Sequence, residues 1–183
     1  MSRPSLVIVI LEDDRQKMLV YKYLIKTGLR RHEIRQELSP SGHGSAESWV
    51  RTRFAKETIA YRERQNRAQT ALLVMIDADV HIVQSRFDQL DEALNARGNQ
   101  PVGRDERIAR LVPRRNVETW ILCLNGHAVD EQTNYKQGRS DWNRLTLQAS
   151  NTLVEWARSG AELPNYCVES LQIGVGELRR LRF

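Results

Sequence analysis

The feature that most constrains this chain is an apolar run over residues 72–76, Leu-Leu-Val-Met-Ile, that ends on Asp77-Ala78-Asp79. An unbroken apolar run of this length suits a strand buried on both faces of a mainly parallel sheet. The carboxylates then stand where the strand ends. Side chains alternate along a strand, so residues two apart point the same way, and Asp77 and Asp79 are expected to face one crevice. Open α/β sheets hold their ligands at that carboxyl-terminal rim. Two anions held close repel, and the usual remedies are a divalent cation or a raised pKa on one of them. The cation is the favoured reading.

The same construction occurs earlier. Residues 6–11, Leu-Val-Ile-Val-Ile-Leu, meet Glu12-Asp13-Asp14 without a gap. They read as a first buried strand, with Asp13 or Asp14 capping a helix over residues 15–27 that Gly28 closes. Residues 32–38 alternate weakly and read as a strand near the sheet edge, stopped by Ser39-Pro40. The glycine-containing stretch 41–45 reads as a loop, and it lacks the Gly-Lys-Ser/Thr ending of a Walker A phosphate loop. A helix is expected over residues 46–67, with Trp49, Phe54 and Tyr61 on its packing face. Its arginines, Arg51 and Arg53 among them, are left for solvent or for nucleic-acid phosphate.

Beyond the acidic turn, Phe87, Leu90, Ala93 and Leu94 mark another amphipathic helix that ends near Gly98. Residues 107–113 read as a strand terminated by Pro113, and Val117, Trp120, Ile121 and Leu124 fall on one face of a helix beginning near Arg114. Residues 126–140 are polar and aperiodic, a surface insertion, and helices are expected over 145–158 and 168–181. The pattern implies an α/β core over residues 1–125, a mainly parallel sheet with helices on both faces. A helical C-terminal extension over 126–183 packs on that core.

Composition narrows the function classes. At 183 residues the chain suits one well-buried domain with a small appendage. A net charge of +5 favours polyanionic partners, although each basic cluster taken alone reads first as a solvated helix face. Cys123 and Cys167 are the only cysteines and belong to no CxxC or Cys/His set, so neither a disulfide framework nor a zinc site is legible. The first apolar run is too short and too quickly acidic for a signal peptide, and no stretch approaches the ~20 apolar residues of a membrane span. A cytoplasmic protein without a membrane partner is expected.

If the strands ending at Glu12 and Asp77 are adjacent and parallel, Glu12, Asp77 and Asp79 meet at one rim. Three carboxylates there make an oxygen-ligand set suited to Mg²⁺ or Mn²⁺. The competing reading is that acidic residues merely end strands and cap helices. It is the stronger one for each residue alone and the weaker one for their joint occurrence.

Ile-Leu-Glu12 after a first strand and Met-Ile-Asp77-Ala-Asp79 after a later buried strand resemble the Toprim domain of topoisomerases, primases and overcoming-lysogenization-defect nucleases. The likeness spans roughly the first two thirds of the chain. The stretch Val112-Pro-Arg-Arg-Asn-Val-Glu118-Thr-Trp120 is similar to the arginine and Glu-x-Trp element of small Toprim-like bacterial proteins. The resemblance implies a metal held by Asp77 and Asp79, with Glu12 as a ligand or a general acid/base. It implies that Arg115, beside Glu118 on a helix surface, binds the scissile phosphate or steadies the carboxylate, with a plain salt bridge as the alternative. Arg51, Arg53 and Arg114 are implied as substrate-groove contacts. Many Toprim domains carry a third aspartate where this chain has His81. Glu118 is the candidate substitute, a single metal is the alternative, and His81 is given no catalytic role.

The resulting expectation is a metal-dependent nuclease or related phosphotransfer enzyme acting on DNA or RNA. Bacterial anti-phage defence and a partner ATPase follow from the resemblance alone. Two alternatives stay open: a non-catalytic nucleic-acid-binding or regulatory subunit with the same fold, and a glycosyl- or nucleotidyl-transferase using the bare Asp-x-Asp on a metal–nucleotide complex. Oligomeric state is left open.

Overall fold

A computed structural model describes residues 3–40, 45–65 and 67–183. The expected glycine-containing loop at 41–45 falls, apart from Ser45, outside the described residues. Four parallel strands, β1 (Leu6–Leu11), β2 (Ile34–Leu38), β3 (Thr70–Met75) and β4 (Ile108–Leu111), form one sheet in the order β2-β1-β3-β4. Six α-helices surround it among the described residues: α1 (Asp14–Lys26), α2 (Ala46–Arg64), α3 (Val83–Asn95), α4 (Val117–Leu124), α5 (Trp142–Ala157) and α6 (Glu169–Arg179). This is the α/β arrangement that the two apolar runs called for. β1 and β3 are the inner strands, which is why neither shows a polar alternation, whereas β2 and β4 lie at the edges.

The sheet divides the core into two layers. Val7, Val9, Leu11, Leu73 and Met75 face α1, α4, α5 and α6, while Ile8, Ile10, Leu72 and Val74 face α2 and α3. Each such side chain contributes about 1.5–3 kcal/mol on leaving water. Residues of the C-terminal extension, Leu153, Leu171 and Leu178 among them, belong to the first layer. α5 lies against α1 and α4, and α6 lies against β4.

Close approach seats α6. A Cβ placed on Gly174 would come within 2.2 Å of the Trp120 ring, and the Trp120 indole N–H donates to Ser170 Oγ at 2.7 Å. Glu177 on α6 also accepts from the Arg110 backbone N–H at 2.8 Å, covering part of the β4 edge. Helix ends follow local rules. Asp13 caps α1 by accepting from the N–H groups of Arg15 and Gln16, and Gly28 takes φ +92 just past its end. Among the described residues no helix is long and apolar enough to cross a membrane.

Connectivity fixes where a site belongs. The chain leaves β1 for β2 on one side and leaves β3 for β4 on the other, so the crevice between the ends of β1 and β3 is the topological switch point.

Candidate active site

Glu12 follows β1 and Asp77 lies just past β3, so both stand at that switch point. Glu12 Oε2 accepts from the Asp77 backbone N–H at 2.7 Å. Gln16, in the first turn of α1 and fully buried, binds both: its Nε2 donates to Asp77 Oδ1 at 3.0 Å and to Glu12 Oε2 at 3.3 Å. Its own Oε1 accepts from the Glu12 N–H at 3.0 Å. One amide side chain thus fixes the two carboxylates relative to each other.

The electrostatics of the pair are strained. Burial, and after it the negative charge of Glu12, push the Asp77 carboxyl well above the ordinary aspartate value. Burial likewise raises Glu12, against the opposing hydrogen bonds from Asp77 and Gln16. Two acids whose burial disfavours ionisation, set side by side in a crevice, are what a functional site provides more often than a scaffold does.

Asp79 corrects one expectation. Strand alternation put it on the same face as Asp77, but β3 ends at Met75 and Asp79 takes the left-handed φ of +53, so the alternation no longer applies. Asp77 is 2% exposed, whereas the Asp79 side chain is 52% exposed. Arg86 on α3 joins them from below. Its side chain is 1% exposed, its Nε donates to the Asp77 carbonyl at 3.0 Å, and its guanidinium lies 2.5 Å from Glu47 and 3.6 Å from Asp79. Glu47 in turn holds Arg51 at 3.2 Å, which ties Arg51 to the rim through one carboxylate.

Glu118 is buried in the first turn of α4, and its expected partner is wrong. The sequence spacing paired it with Arg115 on a helix surface. α4 begins only at Val117, and Arg115 lies ahead of it with φ +70, so the three-residue helical spacing does not operate. The actual partner is Arg15 on α1, 2.8 Å from Glu118 Oε1 and stacked 4.8 Å over the Trp142 ring. Glu118 Oε2 is buried without a hydrogen-bond partner among the described residues, and burial raises its pKa.

Between Glu118 and Asp77 comes a residue the sequence did not single out. Lys136 places its ammonium 3.6 Å from Asp77 Oδ2. Burial works against that charge, yet Asp77, Glu118, Asp13 and Asp79 together hold the Lys136 pKa above its usual value. The segment 126–140 is therefore more than a surface insertion, since it supplies a cation to the rim. Asn134 from the same segment accepts from Asn116 at 2.9 Å, which fastens it ahead of α4.

The proposed groove residues separate. Arg53 points to β2, held by Glu37 and by Glu57 at 3.0 Å, and takes no part in the acidic cluster. Arg114 does lie near the rim. The Ala78 N–H donates to the Pro113 carbonyl at 2.9 Å, so Arg114 leaves the sheet directly beside the Asp77–Asp79 turn. His81 is on the exposed part of that turn.

Among the described residues no three His, Cys, Asp or Glu side chains form a ready metal-ligand group. The donor chemistry nevertheless suits a hard cation. Every candidate is a carboxylate oxygen, and Mg²⁺ keeps several waters and takes only one or two protein carboxylates before phosphate completes its shell. Asp77 Oδ2, whose partner is the Lys136 ammonium, already sits opposite a positive charge. No family model, curated protein or solved structure matches this chain, so its functional reading rests on this geometry.

Proposed function

We propose that the chain is a Toprim-like, metal-dependent nuclease or related phosphotransfer enzyme acting on nucleic acid. The observation that carries this reading is the Glu12–Asp77 pair, fixed by Gln16 at the switch point between β1 and β3. Bound Mg²⁺ or Mn²⁺ would supply charge stabilisation of a phosphate and an activated water. Asp77 and Glu12 are the residues to hold it, with Asp79 at the open side of the turn.

The remaining residues divide the work by their positions. Gln16 keeps the two carboxylates in register. Arg86 fixes the turn that carries Asp79. Glu12 Oε1, which makes no hydrogen bond among the described residues, is the oxygen left to face the metal. Lys136 beside Asp77 and Arg114 next to the turn offer donors for a phosphate, and the net charge of +5 favours a polyanion overall. Service in bacterial defence, with a partner ATPase, is the setting that the resemblance suggests.

One observation favours a second reading. An ammonium 3.6 Å from Asp77 is a tethered cation, and a chain that carries its own counter-ion can keep the fold as a non-catalytic nucleic-acid-binding subunit. The test is cleavage of single- and double-stranded DNA and RNA with Mg²⁺ or Mn²⁺, comparing the native chain with Asp77→Asn and Glu12→Gln. Cleavage by the native chain alone supports the enzyme. Equal cleavage by all three defeats it, and binding without cleavage selects the second reading.

A further inference from the structure

Beside the acidic rim lies a cleft of about 620 Å³, within the size range of small-ligand sites. Ile82, three residues past Asp79, forms one side of it, and Ser170 and Ile173 on α6 form the other. Arg114 lines the cleft, and the residue before it, Pro113, is hydrogen-bonded to Ala78 in the Asp77–Asp79 turn. We infer that this cleft receives the base of the nucleotide adjoining the reacting phosphate, with preference for a base that carries an exocyclic amino group. The inference rests on the phosphotransfer reading of the rim and gives that reading a substrate subsite.

The walls suit a flat, partly apolar ring. Ile82 and Ile173 are 54% and 40% exposed and line the same cleft, giving it apolar surface that a flat ring can cover. Phe87 forms the floor, and Arg110 lies 4.5 Å over its ring. That arginine is spoken for, since it binds Asp91 at 3.0 Å and lies 3.7 Å from Glu177. Arg114 differs, because its guanidinium has no ion-pair partner among the described residues and is available to phosphate.

The polar lining of the cleft carries both signs. Arg114 supplies the available cation, its backbone N–H donating to Ser170 Oγ at 3.2 Å, and Glu169 and Glu131 line the cleft beside the same serine. Glu131 Oε1 already accepts from the Ser170 N–H at 3.0 Å, whereas Glu169, exposed in the first turn of α6, has no partner among the described residues. A carboxylate accepts from the amino group of cytosine and faces repulsion from the carbonyl that uracil or thymine presents there. The pairing is therefore selective for chemistry and not only for shape.

The probes are cytidine and uridine 5′-monophosphates and their 2′-deoxy forms, titrated by NMR without divalent metal. The native chain is expected to bind the cytidine forms about tenfold more tightly, a modest share of what one good base contact provides. Glu169→Gln is expected to erase the difference while retaining binding. Ile173→Asp and, independently, Ile82→Asp are expected to weaken both ligands, with circular dichroism confirming a native fold. Glu12→Gln is expected to leave base binding intact, so a failed cleavage assay and a failed base subsite remain distinct results. Equal affinity for the two bases, affinity unmoved by both isoleucine variants, or no binding of either probe at millimolar concentration overturns the inference.

Discussion

On the β2 side of the sheet, Glu37 and Glu57 are surrounded by Arg35, Arg53 and Arg64; at the carboxyl-terminal rim, Glu12, Asp77, Asp79 and Glu118 are met by Arg86, Arg15 and Lys136. Both clusters mix the same residue types, yet they behave differently. In the first, three arginines outnumber two carboxylates, and each carboxylate is met by more than one of them, so no single pair decides its neutralisation. In the second, carboxylates outnumber cations, three of them are raised by burial, and two neighbouring backbones, at Asp79 and Arg115, take left-handed conformations that side chains rarely adopt. Strain and unmet charge concentrated at one rim are a reason to look for a ligand there. A density of charge by itself is not.

Breaking the comparison begins with Arg86. Its side chain is 1% exposed, against 29% for Arg15 and 44% for Lys136, and Arg86→Met leaves Asp79, Glu47 and the Asp77 carbonyl without it. Urea unfolding is expected to show a loss of about 3–5 kcal/mol, the usual result of removing one member of a buried ionic set. A loss below about 1 kcal/mol would mean that the rim, like the β2 cluster, survives the removal of one cation. Next in size is Gln16→Leu. Because Gln16 orients both acids, Mn²⁺ affinity is expected to fall about 10–100-fold with the fold retained. Unchanged affinity would mean that the two carboxylates need no orienting amide.

The pH dependence sharpens the contrast. A carboxylate raised on folding is more easily ionised in the unfolded chain. Its contribution is therefore intact below the ordinary aspartate value of 3.8 and is lost as pH rises through the folded value. Without metal, the stability of Asp77→Asn relative to the native chain is expected to improve as pH climbs through that window. A difference constant with pH would contradict the raised pKa. The smallest effect belongs to the other cluster: Arg53→Ala is expected to cost less than Arg86→Met, because Arg35 still meets Glu37 and Arg35 and Arg64 still meet Glu57, and to leave metal affinity untouched.

Much of this was legible beforehand, for identifiable reasons. Two unbroken apolar runs demanded inner strands of a parallel sheet, and inner parallel strands end at one rim, so Glu12 and Asp77 met without any knowledge of the intervening chain. The misses lie where side-chain reach overrides local period. Lys136 sits in an aperiodic segment, and only the excess of acid around it explains its place. Arg86 reads as one more surface charge beside Phe87 until α3 is packed against α2. Gln16 did leave a trace, four residues after Glu12 and therefore one helical turn away, but a glutamine carries no charge to attract notice. Asp79 was misplaced because alternation was extended four residues beyond the end of the strand.

The central claim is that Glu12 and Asp77 hold a hard divalent cation in place of the ammonium that now faces Asp77. Electron paramagnetic resonance titration of Mn²⁺ tests it without any assumption about substrate. The account predicts a bound, saturable Mn²⁺ in the native chain that Mg²⁺ displaces and that Asp77→Asn abolishes. Equal Mn²⁺ binding by the native chain and the variant, or none by either, would contradict it.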